Sequence, residues 1–312
     1  MTRKQPKILY LLENSLKSTA PKCFYSKAEK LIAKYSTLFN SEYIDQRVNY
    51  YCKLNEVTKL SSDCVCDKNF NYAKPSAYFL DLKPYLKHFK GNKYLEYVFG
   101  DVIHVPSSPS IVKSRPITNT NQNSVLFNLD KRRHFVFIND VLSYEDKKDL
   151  LIWRGNVFPQ QELRQAFLNR HFNNPRCNAG HVNDFEDNKY KTTLLSMEEH
   201  LQYKFILSIE GNDVATNLKW IMTSNSLCFS TKPRYETWMM EGALIPNHHY
   251  VLLKDDYSDL DEKMSYYLAN PEEAKQIIRN ANAYVDQFKN PKREYLVSLL
   301  VLQKYFNMTN EG

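Results

Sequence analysis

The chain has 312 residues, 43% of them hydrophobic and 25% charged, with a formal net charge of +7. That length and balance suit a globular chain with two domains of ~150 residues each and no low-complexity tract. They exclude a membrane-spanning protein: no apolar run approaches ~20 residues, and the run from Ile8 to Leu12 stops at Glu13, short of the ~7–15 residues of a secretory signal.

Six cysteines (Cys23, Cys52, Cys64, Cys66, Cys177, Cys228) are scattered along the chain. They read as free thiols of a reducing cytoplasm, and Cys64-Val65-Cys66 lacks the spacing of a zinc site. Residues 1–34 carry eight basic residues (Arg3, Lys4, Lys7, Lys17, Lys22, Lys27, Lys30, Lys34) against Glu13 and Glu29. Such a face suits a phosphorylated acceptor, an anionic membrane surface or nucleic acid; the plainer reading is a solubilising surface.

In chain order, the first ~70 residues show no clean period. Residues 77–80 read as a strand, and a strand or loop ends near Gly100-Asp101. The run 103–117, with Pro106, Pro109 and Pro116, is extended because proline bars a helix interior. Residues 133–138 read as a strand. Ser143 with Asp146, and Ser196 with Glu199, form capping-box patterns. Residues 204–210 predict a strand, Gly211-Asn212-Asp213 a turn, 214–224 a helix and 227–229 a strand. Residues 249–253 predict another strand, followed by a helix capped at Ser258 with Asp261. Asn270-Pro271 and Asn290-Pro291 open two more helices. Alternating strands and helices predict a doubly wound parallel sheet in the second half.

Several residues are candidates for chemistry. In such sheets ligands bind at the carboxyl ends of strands, so the Gly211 bend invites a phosphate or sugar close to the backbone; any strand–helix unit can also turn on glycine. Arg154, in Trp153-Arg154-Gly155-Asn156, presents a planar fork suited to a diphosphate, or to a surface ion pair, and Arg164 on the next helix can point back to the same place. His248 and His249, neighbours on an expected strand, face opposite sides, which gives His249 a packing or hydrogen-bonding role rather than a metal. Asp259-Leu260-Asp261 spells a metal-binding Asp-any-Asp, but its place in a first helical turn explains it by the helix dipole. Asp101, ending an apolar stretch, is a candidate general base.

These segments together resemble glycosyltransferase family 90, over about residues 78–288. The resemblance is densest at Tyr203–Gly211, Ser226–Phe229, Tyr235-Glu236-Thr237-Trp238, Pro246 with His249-Tyr250, and Asp256–Leu260. Trp153-Arg154-Gly155-Asn156 is similar to the family's aromatic-Arg-Gly-Ser/Asn element. The wording at Lys113-Ser114-Arg115-Pro116-Ile117 and Gly211–Asn217 is most similar to the bacterial lipopolysaccharide-core branch, related to protein O-glucosyltransferases.

The resemblance implies an α/β fold of GT-B type, with two Rossmann-like domains facing across a cleft. The expected boundaries are 1–145 for an acceptor-side domain, 146–290 for a nucleotide-sugar domain and 291–312 for a C-terminal helix. It implies an inverting, metal-independent hexosyltransferase that moves sugar from a UDP-sugar co-substrate, with no other cofactor, to a hydroxyl of the lipopolysaccharide inner core. Asp101, before Val105-Pro106, matches the family's catalytic aspartate. Arg154, Gly155 and Asn156 with Gly211, Asn212, Asp213, Val214, Ala215, Thr216, Asn217, Lys219 and Glu236 are the implied donor-binding set. Asn217 stands where eukaryotic members carry a phosphate-binding arginine, so Arg154, a helix N-terminus, Lys219 or Arg115 must meet the diphosphate.

The expected location is the cytoplasm, with peripheral contact at the inner membrane. A protein serine as acceptor is the alternative within the family. A basic binding protein without catalysis is the alternative outside it; nucleic acid as partner is not expected, because no reading module is present.

Overall fold

The computed structural model describes residues 7–71, 76–186 and 188–310. Of the basic N-terminal set, Arg3 and Lys4 lie outside the described residues. The early elements are α1 (Lys7–Thr19), α2 (Ala28–Ser36), α3 (Ser41–Tyr51), β1 (Val65–Cys66) and α4 (Ala77–Leu86). Next come β2 (Tyr94–Val98), β3 (Ser110–Val112), β4 (Arg115–Pro116), β5 (Ser124–Leu126) and the single turn α5 (Lys131–His134).

The middle of the chain alternates β6 (Lys148–Gly155), α6 (Glu162–His171), β7 (Cys177–His181), α7 (Met197–His200), β8 (Tyr203–Ser208), α8 (Leu218–Ile221) and β9 (Leu227–Ser230). The short strands β10 (Tyr235–Glu236) and β11 (Val251–Leu252) precede α9 (Leu260–Ala269), α10 (Pro271–Asp286) and α11 (Pro291–Thr309).

The structure differs from the sequence-based expectations in identifiable ways. The expected strand at 77–80 is the start of α4: the Ser76 side chain accepts from the Phe79 N–H, and Phe79, Leu80, Leu82 and Leu86 are buried at helical spacing. Short apolar runs do not separate strand from helix, and the cap decides here. Residues 135–138 form no strand; the Ile138 N–H donates to the Thr223 side chain at 3.1 Å instead of to a ladder.

Residues 7–51, unpatterned in the sequence, hold α1, α2 and α3. The period of α1 is hidden because it carries apolar residues on both its buried and its exposed side. The helix expected over 214–224 shrinks to α8, because the Asn217 side chain is held by the Leu207 carbonyl at 3.0 Å and by Ser208 at 3.3 Å. The last strand begins at Val251, later than expected, after a turn in which Asn247 has φ 56°.

Two compact units result. One comprises His134–Arg234 and Glu241–Gln287. Its five-stranded sheet is parallel throughout, in the order β11-β9-β8-β6-β7. Leu151, Trp153, Phe205, Leu207 and Phe229 on that sheet pack with Phe167, Leu260, Met264, Ala274 and Ile277 of α6, α9 and α10. Helices on a parallel sheet bury its faces, which is why its strands read as continuous apolar runs.

The other unit takes residues 7–133, Tyr235–Met240 and 288–310. Its sheet has the order β1-β2-β3-β5, antiparallel only between β1 and β2. A separate antiparallel pair joins β4 to β10. The α/β class with parallel sheets is therefore as expected.

Candidate active site

In the fully parallel sheet, chain order reverses between β6 and β8: β7 lies on one side of β6, and β8, β9 and β11 follow on the other. At such a reversal the loops leaving two adjacent strands diverge and open a crevice at their carboxyl ends. Here those ends are Gly155-Asn156 after β6 and residues 209–211 after β8.

Arg164, from α6, spans both. Its guanidinium donates to the Asn156 carbonyl at 2.6 Å, the Glu210 carbonyl at 3.1 Å and the Ile209 carbonyl at 3.2 Å. It also lies over the Trp153 ring, 5.8 Å from its centroid. A Cβ built on Gly211 would stand 2.8 Å from an Arg164 terminal nitrogen, so glycine is required there for the arginine to occupy this place. Among the described residues no carboxylate reaches Arg164 within ion-pairing distance. Burial pushes the guanidinium down to about 10, although the Asp213 carboxylate acts the other way. A desolvated cation held by carbonyl dipoles, without an ionic partner, favours an arriving anion.

Polar side chains surround the bend. Asn212 accepts from Gln160 at 3.0 Å and from Gln161 at 2.9 Å. Glu210 holds Arg234 through the backbone N–H at 2.8 Å and the guanidinium at 2.9 Å, leaving the Arg234 side chain largely exposed. Asp213, Val214 and Ala215 are buried; Thr216 is half-buried. Gln160, Gln161 and Arg234 carried no signal in the sequence beyond lying near the expected bends.

Arg154 is not the arginine at the glycine bend. Neighbours on a strand face opposite sides, and Trp153 faces α6. Arg154 accordingly turns the other way and donates to Asn178, through its carbonyl at 2.8 Å and its side chain at 2.5 Å, and to the Thr193 carbonyl at 3.1 Å. The helix N-terminus expected to help hold a diphosphate is reduced to bends before the four-residue α8. Lys219 is buried in an ion pair with Glu241.

His249 sits in the turn before β11, not on a strand, so the opposite-faces argument for His248 and His249 does not apply; their rings are 4.7 Å apart. The His249 Nδ1 accepts from the Ile245 N–H at 2.9 Å, and burial next to His248 lowers its pKa to about 4. Asp259 binds Lys263 at 2.8 Å and the Lys254 N–H at 3.1 Å, while Asp261 binds Asn174 at 3.0 Å. Both carboxylates serve the entry to α9.

In the other unit, Asp101 follows β2 after Gly100, whose φ of 114° turns the chain at the strand's carboxyl end. Lys113 leaves the neighbouring parallel strand β3, and the register Val98↔Val112 places the two ends side by side. The Lys113 ammonium holds the Asp101 carboxylate at 2.7 Å; the lysine is buried and the aspartate side chain 32% exposed. An exposed, anchored carboxylate at a parallel strand end is suited to proton transfer.

Arg115 and Glu236, both candidates, are each other's partners at 2.7 Å across the β4–β10 pair. Arg115 is fully buried, and its other nitrogens donate to the carbonyls of Tyr50, Tyr51 and Ser124. The pair ties β10 to β4 within its unit.

A family model described as Glycosyl transferase family 90 matches residues 127–310, more than half of the chain. The chain belongs to glycosyl transferase family 90. As a family 90 member it is a glycosyltransferase. The O-glucosyltransferase LpsA of Dichelobacter nodosus is 44% identical to it over 266 residues, covering 85% of this chain and 83% of that protein. Protein O-glucosyltransferase 3 of Homo sapiens is 30% identical over 170 residues, covering 52% of this chain and 33% of that protein. A viral relative, Uncharacterized protein 179R of Invertebrate iridescent virus 6, is 31% identical over 186 residues. The family 90 match thus takes in all of β6–β9 and Arg164 and begins after Asp101.

Proposed function

We propose that the chain is an inverting hexosyltransferase of GT-B type that transfers glucose from a UDP-sugar to a sugar hydroxyl of the lipopolysaccharide inner core, without a metal. The observation that carries this reading is Arg164, desolvated and without a carboxylate, at the strand-order reversal beside Gly211. That is the place and the charge a nucleoside diphosphate requires. The names of the two O-glucosyltransferases support glucose as the sugar.

The proposed reaction is a single displacement. Asp101 accepts the proton of the acceptor hydroxyl while that oxygen forms a bond to the anomeric carbon. The bond from that carbon to the diphosphate oxygen breaks, and the nucleoside diphosphate departs with the electron pair. Arg164, with Arg234 as a second cation, stabilises the charge growing on the leaving group.

A panel of nucleotide sugars offered with truncated core oligosaccharides, with and without EDTA, tests the reading. Transfer from UDP-glucose that persists in EDTA is expected; loss of transfer on chelation overturns the metal-free mechanism. Asp101→Asn is expected to bind UDP as the parent does and to lose transfer by at least ~100-fold. Transfer at the parent rate would remove Asp101 from the base role.

The similarity to Protein O-glucosyltransferase 3 supports a second acceptor, a protein serine. Peptide acceptors in the same assay separate the two.

A further inference from the structure

Helix α1 faces outward with apolar residues. It buries Tyr10 and Ser18 while exposing Ile8 (74%), Leu12 (58%) and Leu16 (72%), with Leu9 beside them. Positions 8, 12 and 16 recur every four residues and so form one stripe along the helix. Phe24, in the 3-10 turn Lys22–Phe24 that follows, is 79% exposed. Five exposed large apolar side chains thus lie within seventeen residues, an exposure that a water-facing surface gains nothing by keeping.

Near the C-terminal end of α1 lies a cavity of about 450 Å³ whose described wall includes Lys22, Lys27, Lys68, Lys87 and Lys90 and no carboxylate. Lys87 joins the two features: its ammonium donates to the carbonyls of Lys17, Ser18 and Ala20, closing the end of α1. The Tyr25 hydroxyl donates to the same Lys17 carbonyl. Lys17, Lys30 and Lys34 add exposed charge on α1 and α2. The nearby acids are Glu13, Glu29 and Asp67, the last paired with Lys22 at 2.9 Å. The Lys90 pKa is lowered chiefly by the side chain and charge of Lys27, a like-charge contact that an anion would relieve.

We propose that α1, Phe24 and the lysine-lined cavity form a docking surface for an anionic phospholipid bilayer. The apolar stripe enters the headgroup boundary and the lysines meet lipid phosphates, the pairing of forces that holds interfacial helices on membranes. Charge complementarity selects this occupant over a second copy of the chain, which presents the same lysines. The leucines and Phe24 select it over nucleic acid, which rewards no aliphatic stripe. Among the described residues no helix is long and apolar enough to cross a membrane, so the attachment is peripheral. The surface shares no residue with the proposed donor site, and only its use for a lipid-linked acceptor rests on the proposed function.

Flotation of the full chain with phosphatidylcholine vesicles, with and without phosphatidylglycerol, tests the proposal. Binding is expected only to the anionic vesicles and is expected to fall as salt is raised. Lys27→Glu with Lys90→Glu should weaken it by at least about fivefold per position. Leu12→Glu with Leu16→Glu should reduce it below detection, while thermal unfolding and transfer to a soluble acceptor stay unchanged. No flotation with anionic vesicles at low salt overturns the proposal. So does binding that survives the paired leucine substitutions, binding to nucleic acid in place of vesicles, or a dimer that the leucine substitutions dissociate.

Discussion

Arg164 reaches its place because a helix following β6 folds back over the strand end and because residue 211 has no side chain. Two consequences can be measured. Arg164→Gln is expected to weaken UDP binding by about 10- to 100-fold, the value of a charge-assisted hydrogen bond, and to lower the unfolding midpoint as well, because three carbonyls lose a donor. Gly211→Ala is expected to act in the same direction, since the added carbon must displace the guanidinium rather than backbone. Calorimetric titration with UDP checks both.

His249 gives a pH dependence. Its folded pKa, about 4, lies below the ordinary 6.5, so the unfolded chain takes up a proton between those values and the folded chain does not. Its contribution is complete above pH 6.5 and is lost as pH falls toward 4. Denaturant unfolding at several pH values should show a shallower acid-side slope in His249→Gln than in the parent.

At the scale of elements, α11 is held by more than its apolar face. Arg47 of α3 donates to both oxygens of Glu294, at 2.8 and 2.9 Å, and the Trp238 indole donates to the same carboxylate at 2.6 Å. Trp238 in turn stacks on Tyr51 with centroids 3.8 Å apart. Glu294→Ala takes the carboxylate away from a buried guanidinium and should cost about 3 kcal/mol in urea unfolding. Element types were most legible where a local signal existed: Asn290 before Pro291 caps α11 as expected, and the Ser196–Glu199 box caps α7. They were least legible where long-range contacts chose the outcome. Asn217 ends up bonding a β8 carbonyl at the start of the four-residue α8 instead of lying inside an eleven-residue helix, and no nearby residue announces this.

The whole molecule is built from a chain that returns. After β9 it gives Tyr235–Met240 to the unit that holds residues 7–133, returns to the unit of β6–β9 for α9 and α10, and leaves again for α11. A chain ended after residue 290 should therefore lose hydrogen-exchange protection in α3 while keeping it in β6 and β8. Protection retained in both would mean that α11 is dispensable.

The α/β class, the parallel strands of the middle region, the glycine bend and the resemblance to family 90 were all legible in the order of the residues. These depend on local periods, caps and ordered motifs, which survive in one dimension. The folded chain was needed to see that Arg164 rather than Arg154 attends the bend, that Lys113 anchors Asp101, and that Arg115 pairs with Glu236. Those outcomes depend on which face a side chain leaves and which distant strand lies alongside, and neighbours in space are not neighbours in sequence.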